Sequence, residues 1–585
     1  MIEKPSTVFV EGFSYSKRVD HFLKLTYLTS YIYGFLEPRY AIAFISIHFL
    51  ICKAFLMEFC FLLRKLIINY ILDSLTIVSI NLNNEEDFRL ADNNNDNSPK
   101  LKRKSKPKLK KEEITVVDTS SARKAVIATA VGNGMEWFDF GIYSYLAATI
   151  GQVFFPEVSG PMQLVFSFAT FAVAFIARPI GGIFFGMLGD RLGRKKVLAI
   201  TLVMMALATL SIGLIPAHSS IGYTATVLLL IARLVQGFSS GGEYSGAMTF
   251  IAESTPDKKR GFMSSGLEVG TLVGYIAGAS LVTLLTYILG EDTMLEWGWR
   301  IPFFLSAPIG LIGFYLRNNL EETPAFEAMQ EKKSDDDNHI TVKNILQFHW
   351  RAIVVGMFVV FFYIVVNYTV LSYMPSHLTA VLGYGEAEGL LLIVIVMVIM
   401  IPIVLLMGYF SDRIGAKKII QGGLIGLILL SIPSFNLIGS GNTIHVFWGL
   451  LILAVFSASF QGTMPALLPS LFFTNVRNGA LAITFNISAS LFGGTTPLLV
   501  AWLISKTMNQ MVPAYYVIFA SVVGIIVVSI FLKDTSGKAL RGSPPAVEEK
   551  AEIKEILEEP EEALWWHEEK KEIEERIEDR LEDGK

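Results

Sequence analysis

The chain has 585 residues, 52% hydrophobic and only 17% charged, with a mean hydropathy of +0.49. Soluble domains are about a quarter charged, so this composition excludes an ordinary soluble protein and points to a chain that crosses a membrane many times. The formal net charge of −4 does not point to nucleic acid, because the basic residues sit in short loops and one tract, and the two cysteines, Cys52 and Cys60, give no disulfide framework for the apolar body.

Residues 1–111 form an extension unlike the rest. The stretch 40–80 is apolar and aromatic but interrupted by Lys53, Glu58, Arg64, Lys65 and Asp73. It reads as one or two membrane-inserted or interfacial helices, or as sequence upstream of the true start. No apolar core of a cleavable signal peptide is found in 1–20. Asn and Asp dominate 81–97, a linker composition. The tract KLKRKSKPKLKK at 100–111 reads as a positive-inside topogenic signal or as a contact for anionic lipid.

From Ala122 onward, apolar runs recur at about the 20 residues that a bilayer demands. Spans are predicted near 124–150, 162–188, 197–216, 223–251, 262–289 and 301–317, and again near 351–379, 386–410, 419–438, 445–469, 479–504 and 512–532. The expected fold is an all-α polytopic membrane protein of twelve transmembrane helices in two six-helix bundles, 112–317 and 349–533, joined by a polar connector at 318–348. Basic loops alternate with acidic or neutral ones, which places both ends in the cytoplasm. The acidic tail 534–585 is expected to be cytoplasmic; Ile553, Ile556 and Leu557 suggest a short helix, and Ile573, Ile577 and Leu581 a terminal amphipathic one. Its few apolar heptad positions give only weak support for self-association.

A loop motif occurs twice, once per half: GMLGDRLGRKK at 186–196 and GYFSDRIGAKK at 408–418. Two copies in the same membrane context indicate an internal duplication. Gly186, Asp190, Arg191 and Arg194 in the first copy, and Asp412 and Arg413 in the second, are candidate gate residues. Glu253 and Arg260 flank the loop after the fourth span and are expected to latch onto the Asp190 loop, and Arg477 lies in the corresponding loop of the second half.

Ionisable groups inside a span are costly and usually face a pathway or a partner. Glu136 and Asp139 stand at i and i+3 of the first span, on one helix face, and form a candidate proton-titrating or substrate-contacting pair. In the fourth span Arg233, Gln236, Ser240 and Glu243 recur at i, i+3, i+7 and i+10, a face suited to a hydrated cavity. Arg233 could hold a substrate carboxylate or tune a nearby acid. The glycines among them, Gly237, Gly241, Gly242 and Gly246, read as packing residues. Arg178, before Pro179, reads either as a gate residue or as a snorkelling arginine. Glu268 is a further intramembrane acid. In the seventh span Asn367, Tyr368, Tyr373 and His377 offer polar and aromatic faces, which can hold a quaternary ammonium or simply pack. Asn486 in the eleventh span can bond solute or a neighbouring helix. No phosphate-binding loop, metal-ligand cluster, nucleophile elbow or ion-channel filter is present in the sequence, so neither a cofactor nor a metal is expected.

The paired loops, EWFDFGIY (136–143), RPIGGIFFGMLGDRLGRKK (178–196), QGFSSGGEYSGA (236–247), WGWRIPFF (297–304) and LEETPAF (320–326) resemble the major facilitator superfamily, in its metabolite:proton symporter branch. SYMPSHL, ALLPSLFFTNVRNGALAITFNIS and MVPAYY are similar to the osmosensory carriers of proline and glycine betaine within it. The likeness runs from about Glu113 to Leu540. It implies a transporter, not an enzyme, in the cell inner membrane, working by alternating access with protons. Arg233 and Gln236 would then hold a zwitterionic solute, with Asn367 and the aromatics Trp137, Tyr368 and Tyr373. Glu136, Asp139 and Glu243 would couple protons, and Asp190, Asp412, Arg260 and Arg477 would close the cytoplasmic side. The alternatives are a carrier of an organic acid (dicarboxylate, citrate or 2-oxoglutarate type) or a membrane solute sensor. An acidic solute should want a second cavity cation. The motif departs from its family at Ala416, where a basic residue is usual.

Overall fold

A computed structural model describes residues 109–192, 194–318, 346, 348–474, 476–559 and 564–567, without the side chains at 112, 186–187, 189–196, 198, 314 and 316–318. The chain separates into two units, Met1–Glu85 and Glu86–Lys585, and everything described belongs to the second. The expectations for residues 1–108, for most of the connector and for 568–585 lie outside the described residues.

Helices coincide with each expected span. They are α1 (Thr119–Tyr145), α2 (Gly160–Leu192), α3 (Arg194–Leu214), α4 (Tyr223–Glu253), α5 (Arg260–Leu289) and α6 (Arg300–Asn318) in the first half. The second half holds α7 (Trp350–Val381), α8 (Glu386–Ile414), α9 (Ala416–Ile438), α10 (Thr443–Ser470), α11 (Arg477–Thr507) and α12 (Val512–Phe531). Among the described residues nine helices are long and apolar enough to cross a membrane. α1 is not one of them, because Arg123, Lys124, Glu136 and Asp139 dilute its apolar run. Asp118 caps α1 by accepting from the amides of Ser120 and Ser121, and Asn442 caps α10 in the same way.

The helices are not uniform cylinders. α4 is broken at Gly241 and Gly242, and α7 carries π-turns at Tyr368–Tyr373 and His377–Val381. Such turns rotate the side chains that follow and recur at functional sites. α1 packs along α5; α5 in turn packs against α8 and α10, and α2 against α11, so two seams join the halves. Close approach needs small residues: a Cβ on Gly270 would meet the Ala130 carbonyl, and one on Gly237 or Gly241 the carbonyls of Ala174 or Arg178. Gly246 faces open space and Gly242 makes only ordinary contact, so the packing role expected of all four α4 glycines falls to two. In the second motif copy, Gly415 turns the chain from α8 to α9 at φ 100°, a conformation that L side chains resist.

After α12 the chain folds back over the face where the described chain begins. β1 (Thr115–Val116) pairs in parallel with β2 (Ala546–Val547), and α13 (Glu552–Glu558) follows. Ile114, Val547 and Ile553 form a small apolar core there with Leu109 and Ile556. The carbonyl of Lys538 accepts from Arg260, and that of Arg541 from Arg477 and the Thr474 amide. Lys259 pairs with Glu548, and Lys258 with Glu552 and Glu555. The described part of the acidic tail is therefore bound to the body as a strap across both halves.

Candidate solute and proton site

The polar residues of α1, α2 and α4 meet in a buried cluster of the first half, which Tyr368 of the second half borders. Glu136 accepts from Arg178 Nη2 at 2.5 Å, and neither side chain is more than 1% exposed. Arg178 is thus neither at a gate nor snorkelling; it is the counter-ion of Glu136. Its guanidinium lies beside the Phe140 and Phe175 rings, 5.3 and 5.2 Å from their centroids. A buried pair of this kind is costly to break from one side, and Arg178 donates to Glu136 Oε1 through Nη2 alone, its Nε and Nη1 having no hydrogen-bond acceptor.

Arg233 is fully buried and lies over the Tyr143 ring, 4.1 Å from its centroid, with Phe171 at 5.1 Å. It donates to Gln236 Oε1 and to the Phe171 carbonyl. Gln236 donates to Thr209 Oγ1 at 2.9 Å, and Thr209 donates to Asp139 Oδ2 at 2.9 Å. The cation and the acid are therefore ends of one hydrogen-bonded relay, Arg233–Gln236–Thr209–Asp139. Glu243 is buried and, with Arg233, is a charged group facing Asp139. Ser240 donates to the carbonyl of Gly237 on its own helix, so this fourth member of the expected face belongs to the helix rather than the relay. Thr209, on α3, was invisible in the sequence because nothing distinguishes it from other span threonines.

An aromatic box adjoins the relay. Trp137 donates to Asn133 and lies 5.3 Å from Tyr275, 6.0 Å from Tyr368 and 6.3 Å from Tyr244 between ring centroids. Tyr368 comes from the second half and also meets Phe171 and Phe175. Tyr373 stands apart, with Phe168 and His377. Asn367 accepts from Gln461 Nε2 at 2.5 Å, so its amide is directed to α10. Asn486 donates to the Gly241 carbonyl at the break in α4; its partner is a neighbouring helix.

Contacts between the halves lie on both sides of the polar cluster. On the strap face, Arg477 Nη1 lies 2.5 Å from Glu253 Oε1, and Asp412 accepts from the amides of Gly261 and Phe262 at 2.6 and 2.8 Å. All three contacts cross between halves. Arg260 pairs with Asp257 and reaches the strap, whereas Arg413 stacks over Tyr409 of its own helix. The side chains of Asp190, Arg191 and Arg194, and Gly186, lie outside the described residues. On the opposite face Ser144 donates to the Ser372 carbonyl at 2.7 Å, Tyr275 meets Ser372 Oγ at 3.2 Å, and the Glu386 amide donates to Glu291 at 3.3 Å. The arrangement is occluded. Among the described residues no cluster of side chains could hold a metal ion.

The description Major Facilitator Superfamily matches residues 129–494. A glycine betaine/proline/ectoine/pipecolic acid transporter, OusA of Dickeya dadantii, is 45% identical over 467 residues, covering 79% of this chain and 93% of its own. A proline/betaine transporter of Escherichia coli K12 is 45% identical over 464 residues, covering 78% of this chain and 92% of its own. The proton:xylose symporter XylE bound to 6-bromo-6-deoxy-D-glucose superposes with a TM-score of 0.61 at 19% identity, over 72% of this chain and 98% of that one, which is a likeness of fold. Two repeated halves, a buried polar cluster beside their seam and these matches lead to one conclusion: the chain belongs to the Major Facilitator Superfamily and is a multi-pass membrane transporter.

Proposed function

We propose that this transporter imports a small zwitterionic solute, proline or a betaine, together with protons by rocking its two halves around the buried polar cluster. The observation that carries the reading is the Arg233–Gln236–Thr209–Asp139 relay beside the Trp137–Tyr368 box. A guanidinium suits the solute carboxylate, and the box suits a quaternary or secondary ammonium. The relatives named for proline and betaine support the same solute class. Protonation of Asp139, Glu136 or Glu243 removes a charge that would otherwise be carried through the apolar seam, and this allows the loaded halves to reorient.

The positive-inside pattern supports a cell inner membrane with both termini in the cytoplasm, so that the strap covers the cytoplasmic gate. The tract 100–111 would then face anionic headgroups, and the strap is where osmotic regulation would act. One observation favours a second reading, an organic-acid carrier: Arg178 is a second buried cation of the kind such a solute would want. Glu136 already neutralises it, which leaves the zwitterion preferred.

The test is uptake of labelled proline and glycine betaine into proteoliposomes, with and without an inward proton gradient, at two osmolalities. Gradient-driven accumulation that rises with osmolality is expected. Uptake of a dicarboxylate but of neither zwitterion would discard the solute and keep the fold; binding without accumulation would make the protein a sensor.

A further inference from the structure

One buried acid has no role in the site described so far. Glu268 of α5 is fully buried. Its Oε1 accepts from Tyr244 of α4 and, at 3.2 Å, from Tyr363 of α7, and the two phenol oxygens lie 3.2 Å apart. Its Oε2 is buried with no hydrogen-bond partner. The titratable groups facing it are Tyr244, Tyr363 and Tyr275, and Tyr275 in turn faces Arg178 and Glu136. Among the described residues no Lys, Arg or His pairs with it, unlike Glu136, which has Arg178, and Asp139, which faces Arg233. A bare charge here would be expensive. The two phenol donors would serve a carboxylate as well as an acid; it is burial without a cation that favours the neutral acid, and Oε2, free of donors, is the oxygen left to carry the proton.

The position joins two events. Tyr363 belongs to the second half, so its bond exists only while α5 and α7 are together. Tyr244 belongs to the first half and meets Trp137, a wall of the aromatic box, edge to face at 6.3 Å.

We propose that Glu268 is a further proton-coupling residue, which holds a proton on Oε2 while the halves are closed together and releases it to water when they part and Tyr363 withdraws. Solute in the box acts on it through Trp137 and Tyr244, and closure acts on it through Tyr363. The inference rests on the proton-symport reading and adds a site to it.

The experiment compares wild type, Glu268→Gln, Glu268→Asp and Tyr363→Phe in proteoliposomes given labelled proline outside, either loaded with unlabelled proline for counterflow or empty under an inward proton gradient for accumulation. Counterflow exchange, which needs no net proton movement, is expected to survive in Glu268→Gln within about threefold. Gradient-driven accumulation should fall by about tenfold or more, within the span of typical coupling energies, and Glu268→Asp should restore part of it. Tyr363→Phe should shift the pH profile of uptake. Infrared spectra of the reconstituted protein, which need no solute, should show a protonated-carboxyl carbonyl band at neutral pH that Glu268→Gln removes.

Unchanged accumulation and pH profile in Glu268→Gln, or an unchanged band, overturns the proposal. So does equal loss of exchange and accumulation with no rescue by Glu268→Asp, which marks a purely structural residue. A wild type that accumulates proline without moving protons overturns the symport reading and this inference together, whereas a proton-coupled wild type with a normal Glu268→Gln overturns this inference alone.

Discussion

Arg477 and Glu253 join the two halves at the strap face, Nη1 to Oε1 at 2.5 Å. Arg477 also donates to the carbonyls of Pro469, Phe472 and Arg541 and to Thr474 Oγ1. A single planar guanidinium therefore holds the other half, its own loop and the strap at once, a geometry that lysine cannot reproduce. Arg477→Ala is expected to cost roughly 2–4 kcal/mol, as loss of one partner of a largely buried pair does, and Arg477→Lys to recover less than half. Thermal unfolding in detergent checks both. Fully retained stability in Arg477→Ala would show that the strap and Asp412 hold this face without it.

The Glu136–Arg178 pair should behave as a coupled unit. Glu136→Gln or Arg178→Gln alone leaves one buried charge without its partner, at about 3–5 kcal/mol. The double variant should cost clearly less than the sum of the two. Additive losses would mean that the two side chains act independently despite their contact.

Arg233→Lys should lower solute affinity by about tenfold or more, because the ammonium loses the planar stacking on Tyr143 and the fork that addresses a carboxylate. Asp139→Asn should keep exchange and lose accumulation. Direct binding and counterflow assays separate the two effects, and loss of binding in both variants would erase the assigned division of labour.

Outside the membrane, the Lys259 ammonium holds the Glu548 carboxyl below its ordinary range, with Thr119 adding a hydrogen bond. Asp118, capping α1 through Ser121 and Ser120, is held down at about 2. Both groups have depressed folded values, so their contributions are present above the ordinary carboxylate range and are lost as pH falls through the lowered ones. The strap should therefore stay docked through mildly acidic pH. The exposed Lys258 and Lys259 pairs are each worth about 0–1 kcal/mol and are screened by salt. Amide exchange at Thr115 and Val117, which donate to Pro545 and Val547, should accelerate as salt rises at constant pH. Protection independent of salt would assign the docking to the Ile114–Val547–Ile553 core alone.

Much of this architecture was readable from the chain. Apolar continuity located a helix at each expected span, nine of which, among the described residues, have the length and apolarity that bilayer thickness demands. That Arg233 and Gln236 share a helix face was also legible, since i and i+3 do so in any α-helix; their hydrogen bond to each other was not expected. Partners on other helices were not. Arg178 looked ambiguous because its neighbourhood leads into a basic loop, and only the packing of α1 on α2 assigns it to Glu136. Ser240 and Glu243 were read on one continuous face, but the break at Gly241 and Gly242 interrupts it. The strap escaped notice because Lys538 and Arg541 bind through their carbonyls, which every residue possesses and no sequence pattern marks.

The pairing of β1 with β2 brings together stretches separated by hundreds of residues, as the Thr119–Glu548 hydrogen bond shows with a separation of 429. A ribosome delivers the first stretch long before the second exists. Thr115 and Val116 must wait, unpaired, through the insertion of every later helix, and the parallel ladder can close only once α12 has left the translocation machinery. Closure of this small sheet therefore reports that biosynthesis of the whole bundle is complete, and a chain truncated before Ala546 would expose the waiting strand to cellular quality control.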